Sequence, residues 1–395
     1  MCSLGCSTNA LSVLRPPAVV ESFGTVAVVR VLCSFAGGAG HLVPQAPLHR
    51  ALASAGHELT LAGRASAVAA VPRGIYSRIV ERPDRRSELA EAIAPLAPVD
   101  IEHELSVIER HFAGRAALGT AAALDEELRG VDLVVCDEVD FGAIAAAQRA
   151  RIPVVVVAVI ASGALVRPER LTDALDALRD QLGVPEPIRP YGDFFVVPFT
   201  PSMRDPRFPA PTDALWMQPR AGSPSDSDGS IVATLGTEFN TESGDLFSRI
   251  LTALSVTDRS AVVAIGCDLD PKRFGTQPPH VRVERFVDLD TVISRASLVL
   301  HHGGSGLFLR SVLGGAPQIV LPMGADQPFT ADSVNRLGLG QVLDPITVTA
   351  HEIVEAVTEL LADERARSRT AQLRRSVLEL PKPTTIVEHL EAALR

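Results

Sequence analysis

Residues 296–306, ASLVLHHGGSG, join an apolar run to a glycine-rich turn, and a helical pattern from Leu307 to Leu313 follows at once. A parallel strand, a glycine turn and a helix in this order direct unpaired backbone N–H groups to the carboxyl edge of a sheet. Proteins use that arrangement to bind phosphate. His301, at the predicted end of the strand, can add a hydrogen-bond donor or a positive charge. The stretch predicts a phosphate site in an α/β fold.

A second polar pair follows the next predicted strand. After the apolar run at 318–323 come Asp326 and Gln327, whose carboxylate and amide groups are suited to binding sugar hydroxyls. Because the carboxyl ends of parallel strands meet at one edge of a sheet, these side chains are expected close to the phosphate site. Together the two segments predict a nucleotide-sugar site.

Strands and helices alternate in two blocks along the chain. The first block has predicted strands at 27–35, 57–62, 131–136 and 153–160. The second block has predicted strands at 231–235, 261–265, 281–286, 298–301 and 318–322. Such alternation is typical of parallel sheets with helices on both faces. The fold prediction is therefore α/β, with two Rossmann-like domains facing each other across a cleft.

Composition suggests where these domains begin and end. We expect a disordered extension at 1–24, an N-terminal domain at 25–205, a linker at 206–230 and a C-terminal domain at 231–380. The extension lacks the basic segment of a signal peptide, and the linker is rich in proline, glycine, serine and aspartate. A last helix at 381–395 is expected to pack back on the N-terminal domain.

The overall composition argues against several classes of partner. The 395 residues suffice for two full-sized cores, and the net charge of −10 without a basic run argues against nucleic acid. The longest apolar stretch, 152–166, is shorter than the ~20 residues of a membrane span, so no stable membrane insertion is expected. The five scattered cysteines are typical of reduced thiols in the cytoplasm. A homodimer is an open alternative.

The first domain has its own glycine turn, residues 37–41, GGAGH. It departs from a dinucleotide fingerprint, because Val43 stands where the third glycine belongs and the second strand ends without a ribose-binding carboxylate. NAD is therefore not expected, and NADP bound through Arg64 is a weaker alternative.

His41 and Asp137 both follow predicted strands of this first domain. A histidine at a strand end titrates near neutrality and can act as a general base when a carboxylate fixes its tautomer. The alternative is that His41 caps the turn and Asp137 caps a helix. Spacing alone favours neither interpretation.

The ordered set of motifs resembles the GT-B glycosyltransferases of family 1, in the bacterial branch that glycosylates antibiotics and other natural products. The residues that carry the resemblance are 40–44 (GHLVP), 234–237 (TLGT), 301–306 (HHGGSG), and 315–317 (GAP) through Asp326 and Gln327. The likeness runs from about Val26 to the C-terminus.

The resemblance implies an inverting, metal-independent transfer that needs no cofactor. A nucleotide-diphosphate sugar, with a dTDP-deoxysugar favoured, would bind the C-terminal domain, and the hydroxyl of an apolar natural-product acceptor would bind the N-terminal one. The resemblance makes His41 the base and Asp137 its orienting carboxylate. It also implies contacts for each part of the donor. The diphosphate would bind His301 and the amides near Gly303, Ser305 and Gly306, and the sugar would bind Asp326 and Gln327. Thr237 would lie near the phosphate or the sugar, and the nucleobase would rest on the backbone around Phe286 and Val287.

Several features depart from the family or allow other functions. The family often has proline and glutamine where this chain has Asp288 and Leu289, so the base-binding loop differs and UDP-glucose is not the assumed donor. A GT-B nucleotide-sugar epimerase would need carboxylates where His41 stands, and a non-catalytic auxiliary relative would bind nucleotide or acceptor only. Three aspartate pairs resemble metal sites but are interpreted as solvated loop charge: 226/228, 268/270 and 288/290.

Overall fold

The computed structural model describes residues 28–68, 73–82, 90–219 and 227–395, and it contains two parallel sheets. The expected disorder at 1–24 concerns residues outside these ranges. The described part of the chain has no helix that is long and apolar enough to cross a membrane.

The N-terminal sheet has seven strands in the order β3-β2-β1-β4-β5-β6-β7. The strands are β1 Arg30–Ser34, β2 Glu58–Arg64, β3 Arg78–Arg82, β4 Leu133–Asp137, β5 Val154–Val157, β6 Phe194–Val197 and β7 Leu215–Trp216. The helices are α1 Ala39–Leu42, α2 Ala46–Ser54, α3 Ala65–Val68, α4 Ile101–Val107, α5 Ala117–Leu124, α6 Phe141–Ala150 and α7 Pro168–Leu182. Between α4 and α5 the chain stays helical, with wider turns, over Ile108–Ala116.

The C-terminal sheet has six strands in the order β10-β9-β8-β11-β12-β13. The strands are β8 Ile231–Thr234, β9 Ala261–Ala264, β10 Val281–Glu284, β11 Leu298–His301, β12 Gln318–Val320 and β13 Gly340–Val342. The helices are α8 Leu246–Ser255, α9 Leu289–Ile293, α10 Ser305–Gly314, α11 Gln327–Leu337, α12 Ala350–Ala362, α13 Glu364–Leu378 and α14 Pro383–Ala393.

The central strands are apolar throughout because helices cover both faces of each sheet. Every residue of β4, β5, β8 and β11 is buried, which explains why these segments are continuous apolar runs and do not alternate. In each sheet the strand order reverses beside the first strand, β1 or β8, and the carboxyl ends open a crevice there. The prediction of two Rossmann-like domains is confirmed.

Two segments near the domain boundary need comment. The predicted linker at 206–230 begins too early, because Leu215 and Trp216 pair in parallel with β6 and complete the first sheet. A two-residue edge strand among prolines gives no periodic signal. At the other end, α14 packs on α2: Ile386 and Leu390 join the core of the N-terminal domain, and Glu391 lies 3.1 Å from His57.

Candidate functional site

His41 and Asp137 meet at the carboxyl edge of the N-terminal sheet. His41 lies in α1, directly after the turn that follows β1, and Asp137 is the last residue of β4. His41 Nδ1 is 3.3 Å from a carboxylate oxygen of Asp137. The buried carboxylate is held in place because its two oxygens accept N–H bonds from Ala36 and Val139. This is the geometry in which a carboxylate orients an imidazole.

The surroundings of His41 adjust its proton affinity. Burial opposes protonation, but the charge and hydrogen bond of Asp137 outweigh it, so the pKa of His41 is raised above its ordinary value. The ring is partly exposed to the cleft, and it stacks on the ring of Phe112 with 6.2 Å between the two ring centroids. Gly37 makes room for it, because a Cβ there would lie 2.1 Å from the imidazole. The imidazole therefore has one side on its carboxylate and the other open to the cleft.

The two histidines at the end of β11 point in opposite directions. His301 is 0% exposed; Nε2 lies 2.8 Å from the side-chain oxygen of Gln318, and Nδ1 accepts the N–H of Gly303. Burial lowers the pKa of His301 to about 4. Both ring nitrogens are occupied inside the domain, so the expectation that His301 binds diphosphate is corrected: His301 shapes the glycine turn.

His302 is the histidine on the cleft side. Its ring lies between Gly236 and Gly304, where added Cβ atoms would be 2.6 and 2.8 Å from ring atoms, and it packs near Phe239. Burial, reinforced by His301, lowers the pKa of His302 to about 3, so the ring is neutral. Its Nδ1 has no hydrogen-bond partner among the described residues. Strand alternation predicts that one of the pair faces inward, but not which one.

The glycine turn leaves fewer amides for an anion than its sequence predicts. The N–H of Gly303 donates to His301, and the N–H of Ser305 donates to Asp326. The partly exposed residues Gly304 and Gly306, at the start of α10, take no part in these bonds. Their amides and the helix dipole are therefore what an anion would meet. Of the amides expected to hold diphosphate, those of Gly303 and Ser305 have partners inside the protein, and the role of Gly306 stays a prediction.

Asp326 and Gln327 begin α11 and have different surroundings. The carboxylate of Asp326 accepts both the N–H and the hydroxyl proton of Ser305, and burial raises its pKa. Gln327 is 1% exposed, and its side-chain oxygen accepts the N–H groups of Met323 and Gly324. Asp326 therefore lies at the cleft, whereas the predicted sugar contact of Gln327 is corrected to a support inside the turn.

The remaining predicted donor contacts lie at the carboxyl edge of the C-terminal sheet. Thr237 is exposed in the turn after β8, and Phe286, after β10, is 76% exposed. Val287, beside it, is partly exposed. An apolar ring of this size in solvent offers a face on which a planar base can stack.

The two domains touch at the site itself. The hydroxyl of Ser305 accepts the N–H of Ala161, which follows β5 of the N-terminal domain. The loop before Ala161 is held by the buried Glu138, whose carboxylate accepts the N–H groups of Val159 and Ile160. Burial raises the pKa of Glu138 to about 7. Asp326 is close enough that its charge favours protonation of His41. His41 of the N-terminal domain and Asp326 of the C-terminal domain therefore share one cleft.

The aspartate pairs that resemble metal sites have other partners. Asp270 and Asp288 each accept a backbone N–H two residues further on, and Asp290 lies 3.1 Å from Arg310. Asp228 accepts the N–H of Ser230, while Asp226 falls outside the described residues. Asp228, Asp270 and Asp288 therefore cap turns or helix starts, Asp290 forms an ion pair, and Asp268 accepts from the side-chain amide of Asn240.

Comparisons with known proteins agree with this geometry. Residues 248–393 match the family model "Erythromycin biosynthesis protein CIII-like, C-terminal domain". The chain is 26% identical over 394 residues to the L-demethylnoviosyl transferase of Streptomyces niveus, covering 93% of this chain and 99% of that protein. It is 25% identical over 214 residues to the NDP-glycosyltransferase YjiC of Bacillus licheniformis, covering 53% and 52%. The alignments with this and several other curated relatives span about half of the relatives' length.

Solved structures give the same fold over nearly the whole chain. The glycosyltransferase of kitacinnamycin superposes with a TM-score of 0.73 at 21% identity, covering 93% of this chain and 99% of that one. The glycosyltransferase VinC, solved in complex with dTDP, superposes with a TM-score of 0.71 at 21% identity, covering 93% and 99%. The chain therefore has the two-domain fold of these glycosyltransferases, and its residues 248–393 are similar to the erythromycin biosynthesis protein family.

Proposed function

We propose that this protein is an inverting glycosyltransferase that moves a sugar from a nucleotide-diphosphate donor, a dTDP-deoxysugar, to a hydroxyl of an apolar natural-product acceptor. The observation that carries the proposal is the meeting of the His41–Asp137 pair with Asp326 and the start of α10 in one cleft. A base and an anion-binding helix terminus on opposite sides of a sugar are what single displacement at its anomeric carbon needs.

In this reaction His41 takes the proton of the acceptor hydroxyl as the oxygen attacks the anomeric carbon. The bond from that carbon to the diphosphate oxygen breaks, and the diphosphate leaves with its electron pair. Asp137 stabilises the imidazolium that forms. Attack from the side opposite the leaving group inverts the anomeric centre.

The leaving diphosphate develops negative charge as the bond breaks. The amides of Gly304 and Gly306, the dipole of α10 and an N–H of the neutral His302 ring are the groups that would stabilise it. Asp326 would bind a sugar hydroxyl, and the exposed ring of Phe286 would stack on the base. No metal or other cofactor takes part in this scheme, because protein groups supply both charge stabilisation and proton transfer.

The nature of the substrates is supported by similar proteins. VinC was solved with dTDP, and the Streptomyces niveus relative is named for transfer of an L-demethylnoviosyl group. Nothing favours an epimerase, since no carboxylate replaces His41 at the mouth of the first domain. Homodimer formation and a cytoplasmic location stay predictions.

The test is a transfer assay with a panel of dTDP- and UDP-sugars and apolar hydroxylated acceptors, with and without a chelator. We expect a glycosylated product of inverted anomeric configuration by nuclear magnetic resonance, and a rate that the chelator leaves unchanged. Chelation that abolishes turnover, with recovery in magnesium or manganese, would refute metal independence. Nucleotide binding without turnover on the panel would favour the auxiliary protein.

A further inference from the structure

The turn that carries Asp326 is held from the N-terminal domain as well as from its own. One contact is the N–H of Ala161 on the hydroxyl of Ser305, which in turn donates to Asp326. The other comes from α4, whose Glu104 carboxylate lies against the turn: a Cβ on Gly324 would be 2.9 Å from its Oε1. Burial raises the pKa of Glu104, and the backbone N–H of Ala325 partly offsets that effect, so this N–H faces the carboxylate.

Ala325 has a backbone that needs such support. Its φ is +51°, in the left-handed region that an alanine seldom adopts. A residue in that region persists only where neighbouring contacts hold it. The Glu104 carboxylate beside residues 324 and 325 is a contact of that kind, and it lies directly before Asp326.

Glu104 reaches this turn because the segment before α4 is docked on the C-terminal domain. The anchoring hydrogen bonds run from Ala90 N–H to Asp268 C=O, from Ala94 N–H to Thr241 C=O and from Gly244 N–H to Ala94 C=O. Ile93 and Leu96 pack against the core of that domain. Since α4 begins only five residues after Leu96, its first turn is fixed above residues 324–327.

We propose that Glu104 is a positioning residue for the donor sugar, and this inference rests on the proposed function. Its carboxylate holds Ala325 in the left-handed conformation, so that the carboxylate of Asp326 faces the cleft. Glu104 belongs to the domain that would bind the acceptor. The set of residues that positions the sugar is therefore complete only when the two domains are in contact. The nucleoside diphosphate, bound at α10 and Phe286, does not depend on this contact.

The experiment compares the binding of thymidine diphosphate and of dTDP-glucose by titration calorimetry. Glu104→Ala should weaken dTDP-glucose about tenfold to a hundredfold and leave thymidine diphosphate within about twofold of the wild type. Glu104→Gln keeps an oxygen acceptor and should retain most of the sugar-dependent affinity. The matched control is Glu102→Ala, on the same helix, whose exposed carboxylate pairs with Arg170; it should leave both affinities unchanged.

If Glu104 had only a structural role, Glu104→Ala would change the affinities for both ligands equally or for neither. If Glu104→Ala binds dTDP-glucose like the wild type, or loses both ligands equally, the proposal is overturned. Where this variant fails to fold, Glu104→Asp carries the same expectation, because the shorter side chain withdraws the charge from Ala325. A wild type that binds neither thymidine nor uridine diphosphate would overturn the proposed function and this inference together. If the wild type transfers sugar and Glu104→Ala binds dTDP-glucose as well as the wild type does, only the inference is overturned.

Discussion

The carboxyl edge of each sheet carries a histidine, and the two histidines have different surroundings. In the N-terminal domain His41 lies 3.3 Å from the carboxylate of Asp137, which raises its pKa. In the C-terminal domain His301 contacts the neutral amide of Gln318, and burial lowers its pKa to about 4. A buried imidazole gains protons only where a charged partner offsets its desolvation. The same residue type therefore has a raised pKa beside a carboxylate on one side and a lowered pKa inside the core on the other.

The largest effect expected from this comparison is on the base. His41→Ala should lower turnover on an aliphatic hydroxyl acceptor roughly 10²–10⁴-fold, because it removes the imidazole that Asp137 orients. The affinity for thymidine diphosphate, measured by calorimetry, should stay unchanged, since the diphosphate lies across the cleft. Full activity of the variant on such an acceptor would show that His41 is not the base.

The partner of His41 should control both the rate and its pH dependence. Turnover needs neutral His41, so the wild-type rate should fall as the pH drops through the raised pKa. Asp137→Asn should reduce turnover by less than or as much as His41→Ala. It should also move the acid limb of the pH profile to lower pH, because the charge that raises the pKa is gone. If the acid limb of the Asp137→Asn profile stays at the wild-type pH, Asp137 does not set the pKa of His41.

The tandem histidines allow the comparison to be tested within one strand. His302→Ala should weaken thymidine diphosphate about tenfold to a hundredfold, the effect of losing a hydrogen bond to a charged group. His301→Ala should instead lower the melting temperature, because it leaves Gln318 and the N–H of Gly303 without their partner. Calorimetry and thermal unfolding of both variants check this. The reverse pattern would restore His301 as the phosphate ligand.

The smallest effect concerns Glu138, the buried acid beside Asp137. Its pKa of about 7 in the folded protein exceeds the unfolded value of about 4.3, so the folded state binds this proton more tightly between these values. Its stabilising contribution is full below the unfolded pKa and is lost as the pH rises through about 7. Glu138→Gln should therefore gain stability relative to the wild type, on the order of 1–3 kcal/mol, between about pH 5 and pH 8.

Urea unfolding of the two proteins at several pH values measures this difference. A difference that stays constant across the pH range would mean that Glu138 does not titrate between the folded and unfolded states.

Part of the fold could not be predicted from the sequence, for a physical reason. The edge strands β3 and β13 are partly exposed, so Arg78–Arg82 and Gly340–Val342 lack the apolar runs that mark central strands. β7 is two residues long, and its sequence reads as part of the linker. The sequence pattern does not predict the apolar β6 either, since its four residues precede a proline-rich stretch without a helical pattern.

The candidate site, too, could be predicted from the sequence only in part. The sequence predicts His41, Asp137 and the start of α10 at strand ends, because strand–turn–helix periodicity is a local property. It does not predict that His301, and not His302, is the fully buried one of the pair, since either face of β11 could meet the cleft. It also misses Glu104, which gives no signal beyond being one of several acids on a polar helix.

The sequence by itself determined the α/β class, the two-domain plan and the residues at the strand ends. Local periodicity, glycine turns and buried apolar runs depend on near neighbours in the chain. Only the tertiary structure decided which side chains face the cleft and which support it. Ala161 and Ser305 are 144 residues apart, and their hydrogen bond exists because two separately folded sheets pack against each other. Such contacts depend on the relative placement of the domains, which no local pattern encodes.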